Sequence, residues 1–451
     1  MSFPRYPKYK ASGVEWLGTV PDHWEVMPIR RAARLESGHT PSRNHPEYWE
    51  NCTVPWFTLA DVWQIREEGR DVIYETEEKV SELGLANSSA RRLPKGTVML
   101  SRTASVGFSA IMGVEMATTQ DFANWVCSER LDPKFLLHVF RGMTGEFARL
   151  MMGSTHNTIY MPDIQSLRIA LPPPKEQRAI VKFLEHETVK IDALVAEQEQ
   201  MIELLKEKRQ AVISHAVTKG LNPNAPTKPS GIEWLGDIPA HWGVVPLMRL
   251  TPDDRQIMYG IVLPGPDVDE GVPIVKGGDV APGRLTTTQL KRTTFDIESA
   301  YVRSRLKPND IVYSIRGSIG EAELVPADLG GANITQDVAR VAPREGIDPP
   351  WLLHALRSEP VFGQLDSTVT GATIRGINIF SLKRARIPLP PPSEQRRIAA
   401  FATEAVGSID TLVSAAEEAV RLLSERRAAL ISAAVAGQID VRQFAPQESA
   451  A

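Results

Sequence analysis

Two stretches of this 451-residue chain carry apolar residues at helical spacing for longer than one globular domain needs. In the first, Ile180, Leu184, Ile191, Leu194, Met201, Leu205 and Val212 recur in steps of three, four or seven, with Glu187, Gln198 and Lys208 between them. In the second, Ile398, Ala402, Ala405, Ile409, Leu412, Ala416, Ala419, Leu423 and Leu430 do the same. Seams of this period predict a coiled coil, and alanines facing larger or polar residues would let two unlike helices pack closely. Pro172, Pro173 and Pro174 open the first stretch, since proline suits a first helical turn, where its missing N–H costs nothing. Glu176 then sets negative charge at the positive end of the helix dipole, and Gly220 and Pro223 end the helix. About 44 residues at ~1.5 Å each give a rod of ~65 Å.

The two stretches belong to a repeat. Ser12–Pro28 reads SGVEWLGTVPDHWEVMP and Ser230–Pro246 reads SGIEWLGDIPAHWGVVP, an offset of 218 residues (230 − 12). LPPPKEQR from Leu171 and LPPPSEQR from Leu389 stand at the same offset (389 − 171). Units of ~20–50 residues build solenoids, so a period this long means a duplicated domain. Between the markers, roughly 25–170 and 243–388, the halves diverge and read as mixed α/β with many turns. Thr97–Leu100 and Asp310–Tyr313 read as strands, Phe135–Arg141 and Trp351–Arg357 as matched helices. The expected architecture is α/β (mixed). Two globular domains, 1–171 and 221–388, are separated by two long helices, 172–220 and 389–437, that pair as a coiled coil, before a tail at 438–451. An internal pseudo-two-fold follows from the repeat.

Composition narrows this little. Hydrophobic content of 42% and charged content of 24% are those of an ordinary soluble protein. Cys52 and Cys127 both lie in the first half, which argues against a duplicated disulfide or thiolate framework and for a reducing cytoplasm. The N-terminus has no apolar signal core, and no uninterrupted apolar run reaches the roughly 20 residues of a membrane span. The net charge of −4 is unhelpful for DNA, so any such binding uses local patches or a partner's charge.

Enzyme signatures fail one by one. Asp348-Pro349-Pro350-Trp351 has the form by which adenine-N6 methyltransferases hold their base, yet Asp132-Pro133-Lys134-Phe135 opens the same helix in the other half, and an Asp-Pro helix start explains both. Asp61 or Asp71 with Glu77 and Lys79 imitates a nuclease pattern, but Thr76–Lys79 reads as a capped helix start. GxxxxGK[ST], HExxH and CxxC are missing, and no metal site is expected. His23/His241 and His138/His354 sit in the shared framework, where scaffold hydrogen bonding outweighs a catalytic role. Catalytic residues: none.

What remains suits DNA. Arginine pairs with guanine, Gln or Asn with adenine, and Ser or Thr with either or with phosphate. Arg102 and Ser105, and in the second half Arg316 and Ser318, follow a strand in a turn that bears glycine. Gln120 and Gln336 occupy matched positions after threonine. Thr155, His156 and Asn157, with Thr373 and Arg375 opposite, form a polar loop leading towards the long helix. Arg91 and Arg92 with Lys95, and Arg303 and Arg305 with Lys307, are candidate phosphate contacts. Leu184, Ile191, Leu194, Met201, Leu205, Ile409, Leu412 and Leu423 are the candidate coiled-coil and partner-facing positions. A duplicated protein-binding adaptor fits the same divergent loops on matched frames.

The doubled SGVEWLGxVPxHW opening, the LPPPxEQRxI entries, and IDAL and IDTL at Ile191 and Ile409 resemble the specificity subunits of type I restriction-modification enzymes, over nearly the whole chain. The resemblance implies a non-catalytic, cytoplasmic subunit in which each variable domain reads half of a split target on double-stranded DNA. It implies a recognition-domain fold similar to that of adenine-N6 methyltransferases. The two repeated helices would form an antiparallel coiled coil that holds the recognition domains apart, docks two methyltransferase subunits and sets half-site spacing, and two motor-nuclease subunits join where a system has them. No cofactor would be bound by this chain: S-adenosylmethionine would sit on the methyltransferase, ATP and magnesium on the nuclease.

Overall fold

The structure is a computed structural model, and it describes residues 3–151, 157–367 and 376–444. The chain forms two compact units, one of Met1–Gln198 with Glu418–Ala451 and one of Glu199–Glu417.

In the first unit a five-stranded sheet runs in the order Ala33–Ser37, Phe122–Cys127, Val98–Ser101, Ser109–Met112, Val72–Ile73. Its pairs are antiparallel except the last, Val72–Ile73 on Ser109–Met112, which is parallel. Every residue of Val98–Ser101 and Ser109–Met112 is buried, as continuous rather than alternating apolar strands must be when both faces are covered. A smaller sheet places Val54–Phe57 between Ala117–Thr118 and Lys79–Val80. The second unit repeats the plan with Met258–Tyr259, Val338–Val341, Ile311–Ser314 and Ala322–Leu324 in one sheet, and Val272–Val275 between Arg292–Thr293 and Asn333–Ile334 in the other. The two strands expected from apolar runs are present, displaced by one residue. The matched helices are Pro133–Gly142 and Pro349–Arg357. Lys79 opens a strand, so Thr76–Lys79 is not a helix start: Thr76 Oγ1 accepts the Trp56 N–H and donates to the Glu78 carbonyl, closing a turn between strands.

The two repeated markers are held together inside each unit. Glu25–Pro28 pairs antiparallel with Arg168–Leu171, and Gly243–Pro246 with Arg386–Leu389, so the strand that ends each opening marker meets the strand before each proline run. Glu176 then accepts hydrogen bonds from Tyr6 Oη (2.5 Å) and Trp24 Nε1 (3.1 Å) and lies 2.9 Å from His23 Nε2. Glu394 does the same with Trp242 Nε1 (2.9 Å) and His241 Nε2 (2.8 Å). Gln177 accepts the Asp132 N–H and donates to the Pro172 carbonyl, and Gln395 matches it with Asp348 and Pro390. The opening marker, the EQR entry and the Asp-Pro helix are therefore one hydrogen-bonded frame, and the scaffold reading of His23 and His241 holds.

The long helices are Pro174–Lys219 and Pro392–Val435. Gly220 (φ +74°) ends the first against the Trp242 ring, and Gly437 (φ +71°) follows the second against Pro21 and Trp24. A Cβ at Gly437 would lie 2.4 Å from Pro21, so both the backbone angle and the contact require glycine there. The helices run antiparallel: Asp192 meets Arg427, and 17 residues later on the first helix Arg209 meets Asp410, 17 residues earlier on the second.

The seam differs from the sequence expectation by one position in places. Leu184, Ile191 and Ile409 are buried, and Leu205 and Leu423 are half-buried. Leu194, Met201 and Leu412 are 46%, 41% and 54% exposed; Val195, Ile202 and Val413 take the seam instead. With Thr188 buried at the start, the heptad runs 184, 188, 191, 195, 198, 202, 205. A polar seam residue made the apolar neighbour look like the period. The second helix also contains an 18-residue window of mean hydropathy 1.3, enough by length and composition to cross a membrane, which a search for uninterrupted apolar runs misses. In the fold 28% of that window is buried, and Ala402, Ile409 and Ala416 are the helix's buried seam positions.

Candidate nucleic-acid interface

The strands ending at Ser101 and Ser314 lead into turns closed in the same way. Ser101 N–H donates to the Phe108 carbonyl and Gly107 N–H to the Ser101 carbonyl; Ser314 does likewise with Glu321 and Gly320. Ser101 Oγ donates to the Thr103 carbonyl and Ser314 Oγ to the Arg316 carbonyl. Thr103 and Arg316 are thus equivalents, each bridged to a later segment, at Thr158 and Gly376. Arg102 is the equivalent of buried Ile315.

That one-residue difference separates the two arginines chemically, because successive residues of an extended strand face opposite sides. Arg102 Nε donates to the Gln120 carbonyl at 3.0 Å and its Nη1 to the Ile159 carbonyl at 3.4 Å, so its guanidinium ties two loops together. Arg316 is 52% exposed, with its nearest carboxylate, Asp337, 3.9 Å away. Ser105 and Ser318 lie in the turns themselves, where the Ser105 N–H donates to Thr103 and the Ser318 carbonyl accepts from Glu321.

Gln120 and Gln336 stand beside these turns on a second loop. Gly38 and Gly260 bring the chain so near the neighbouring strand that a Cβ would lie 2.2 Å from the Thr118 Oγ1 and Thr119 carbonyl, or 2.0 Å from the Ile334 carbonyl. Only glycine permits that approach. It delivers Thr40 to Gln120, whose Oε1 accepts the Thr40 hydroxyl at 2.8 Å. In the second unit it delivers Val262 to the cleft shared by Arg316 and Gln336. Thr40, Tyr259 and Val262 escaped the sequence reading, since Gly38 and Gly260 fall off the 218-residue offset; the glycine after a strand was the available signal. Asn157 is exposed and its carbonyl accepts the Ala104 N–H. Thr155, His156, Thr373 and Arg375 lie outside the described residues.

The basic clusters divide. Arg92 is shared between Glu82 (2.9 Å) and Glu115 (3.1 Å), whereas Arg91 is two-thirds exposed and 3.7 Å from Glu36. Arg305 is held by the buried Glu298 through two hydrogen bonds of 2.6 and 2.5 Å. Its pairing with Arg305 outweighs burial and lowers the Glu298 carboxyl below the usual range. Arg305 is therefore a structural cation rather than a free phosphate contact. Arg303 remains exposed, on a loop fixed from below by the buried Arg340, whose guanidinium donates to the Arg303, Arg305 and Gln256 carbonyls.

Two acidic residues that imitate catalytic motifs serve as caps. Asp348 caps its helix, accepting the Trp351 N–H at 2.9 Å, and the Trp351 ring is fully buried in the core. Asp61 caps a turn, accepting from the Thr58 and Glu77 N–H groups. Among the described residues, no three His, Cys, Asp or Glu side chains are grouped to hold a metal.

Residues 21–204 match the model of the Type I restriction modification DNA specificity domain. The chain is 27% identical over 319 residues, 70% of its own length and 67% of the relative's, to the specificity subunit of the type I restriction enzyme EcoBI of Escherichia coli. It is 27% identical over 194 residues, 42% and 43% of the two chains, to the MjaIX specificity subunit of Methanocaldococcus jannaschii. Among solved structures, a chain of a type I R-M system superposes with a TM-score of 0.70 at 18% identity, covering 92% of this chain and 98% of that one. The HsdS subunit from Thermoanaerobacter tengcongensis gives 0.54 at 19% identity, covering 93% and 98%. With the doubled frame, the paired helices and the polar loops already described, the chain is similar to type I restriction-modification specificity subunits, and residues 21–204 carry the match to their DNA specificity domain.

Proposed function

We propose that this chain is the sequence-reading subunit of a type I restriction-modification complex, in which each unit reads one half of a bipartite target on double-stranded DNA. The observation that carries the reading is the contrast between frame and loops. Both units build the same hydrogen-bonded scaffold around Glu176 and Glu394, yet set different side chains beside their glutamines, Thr40 in one and Val262 with Arg316 in the other. Divergent polar loops on a repeated rigid frame are how one fold reads two sequences. Arg91, Arg303 and Arg316 are the exposed cations for phosphate or guanine, and Gln120 and Gln336 the amides for adenine. The long helices dock two methyltransferase subunits, their exposed Leu194, Met201 and Leu412 being apolar positions left for a partner, and helix length sets the gap between half-sites. Methyl transfer, with S-adenosylmethionine, belongs to those partners, and ATP-driven cleavage to nuclease subunits where present. The complex works in the cytoplasm, where its DNA is.

Replacing residues 25–170 by the matching segment of a relative, in the chain co-expressed with its methyltransferase, tests this. Methylome sequencing should show one half-site changed and the other kept. A change in both, or in neither, would sink the proposal.

A further inference from the structure

A cleft of about 270 Å³ opens beside the second unit's turn, lined by Tyr259, Val262, Arg316, Gln336, Asn378 and Ile379 among others. Its lip is apolar. Tyr259 and Val262 are 49% and 43% exposed, and Leu263, next in the chain, is 81% exposed. The lip is fixed by backbone: Gly260 sits against the Ile334 carbonyl, Ile261 N–H donates to that carbonyl at 2.8 Å, and Gln336 N–H donates to the Ile261 carbonyl at 3.0 Å. These side chains therefore cannot withdraw into the core without breaking the strand contact. The same place in the first unit, after Gly38, carries His39 and Thr40, and Thr40 is bonded to Gln120. One unit thus offers a polar lip and the other an apolar lip flanked by a guanidinium and an amide.

We propose that Val262 and Leu263 read the C5-methyl group of a thymine in the half-site recognised by the second unit, while Arg316 and Gln336 bond the edges of neighbouring bases. The inference rests on the DNA-reading function proposed above. In the major groove thymine alone among the four bases presents a methyl group, and it is read by apolar contact rather than by hydrogen bonds. An aliphatic pair that follows the anchored Ile261 and stands beside an arginine and a glutamine matches a base-pair edge of that kind next to guanine or adenine. The first unit has no aliphatic pair at this place, where His39 and Thr40 stand.

The test uses the full chain in complex with its methyltransferase partner and a duplex carrying the target found in the methylome. Each thymine outside the methylated A·T pairs is replaced singly by deoxyuridine, which removes the methyl and keeps the pairing. One position in one half-site should weaken binding about fourfold, the effect of losing one buried methyl-sized group. In the variant carrying Val262→Ser and Leu263→Ser that penalty should vanish, while discrimination at the other half-site persists and shows that the variant is folded. If no deoxyuridine weakens binding, or the penalty survives in the variant, the thymine reading is overturned. If the wild-type complex binds a duplex with both half-sites scrambled as tightly as its target, DNA reading itself fails, which is a separate result.

Discussion

Arg427 of the second long helix pairs with Asp192 of the first, Nε to Oδ1 at 2.7 Å, and the repeat offset turns this pair into Arg209 with Asp410 at 3.1 Å. The cation and the anion have exchanged helices. A parallel pair of repeated helices would set each residue beside its own equivalent, whereas an antiparallel pair sets arginine beside aspartate twice. The asymmetry of charge along one repeat therefore selects the direction of the partner.

All four side chains are partly exposed, so each pair contributes only about 0.2–1 kcal/mol. Arg427→Glu, which places like charges together, should cost about 1 kcal/mol, and adding Asp192→Arg should recover most of it. Denaturant titration of the four species of this cycle measures the coupling. A double variant no more stable than the worse single one would remove the pair from any role in register.

The carboxylate at each helix entry should matter unequally. Glu176 is almost wholly buried and serves Tyr6, His23 and Trp24, while Glu394 is one-third exposed and serves His241 and Trp242. Glu176→Ala leaves buried donors without an acceptor and should cost roughly 3 kcal/mol, with Glu394→Ala costing about half as much. Thermal denaturation of the two variants decides it, and equal losses would contradict the clamp as described.

His138 and His354 bring a pH dependence. Burial, followed by the charge of nearby Arg141 or Arg357, pushes both imidazoles down from 6.5 to about 4. The unfolded chain takes up protons below about pH 6.5 that the folded chain refuses. The stability these residues supply is thus complete above pH 6.5 and is lost as pH falls towards 4, up to roughly 3 kcal/mol for each. Melting temperature should decline between pH 7 and 5, and His138→Gln with His354→Gln should flatten the decline. An unchanged slope would mean that other groups dominate.

The two arginines after the matched strands should behave as different kinds of residue. Arg102→Ala removes bonds to the Gln120 and Ile159 carbonyls and should lower the melting temperature. Arg316→Ala should leave it unchanged and relax the target at one base pair, by about 1–3 kcal/mol if the contact is bidentate. Calorimetry with methylome sequencing separates these outcomes, and a destabilised Arg316→Ala would make it a scaffold residue as well.

The sequence by itself determined the duplication, the α/β inserts, the long helices and their ends, and the Asp-Pro helix starts. Each is local, or is a pattern compared with its own copy, and proline, glycine and capping residues write such boundaries into the chain. Tertiary structure alone decided the rest. The seam moved from Leu194, Met201 and Leu412 to Val195, Ile202 and Val413 because the facing helix, not the residue's own polarity, chooses what is buried. Arg305 and Arg92 became ion-pair partners because Glu298, Glu82 and Glu115 arrive from other positions in the chain. Arg102 and Arg316, similar in sequence, took opposite sides of matched strands, since a one-residue step in an extended chain reverses the direction of a side chain. The cleft of Tyr259 and Val262 exists only because Gly260 lets one backbone lie against another, a contact between segments more than 70 residues apart.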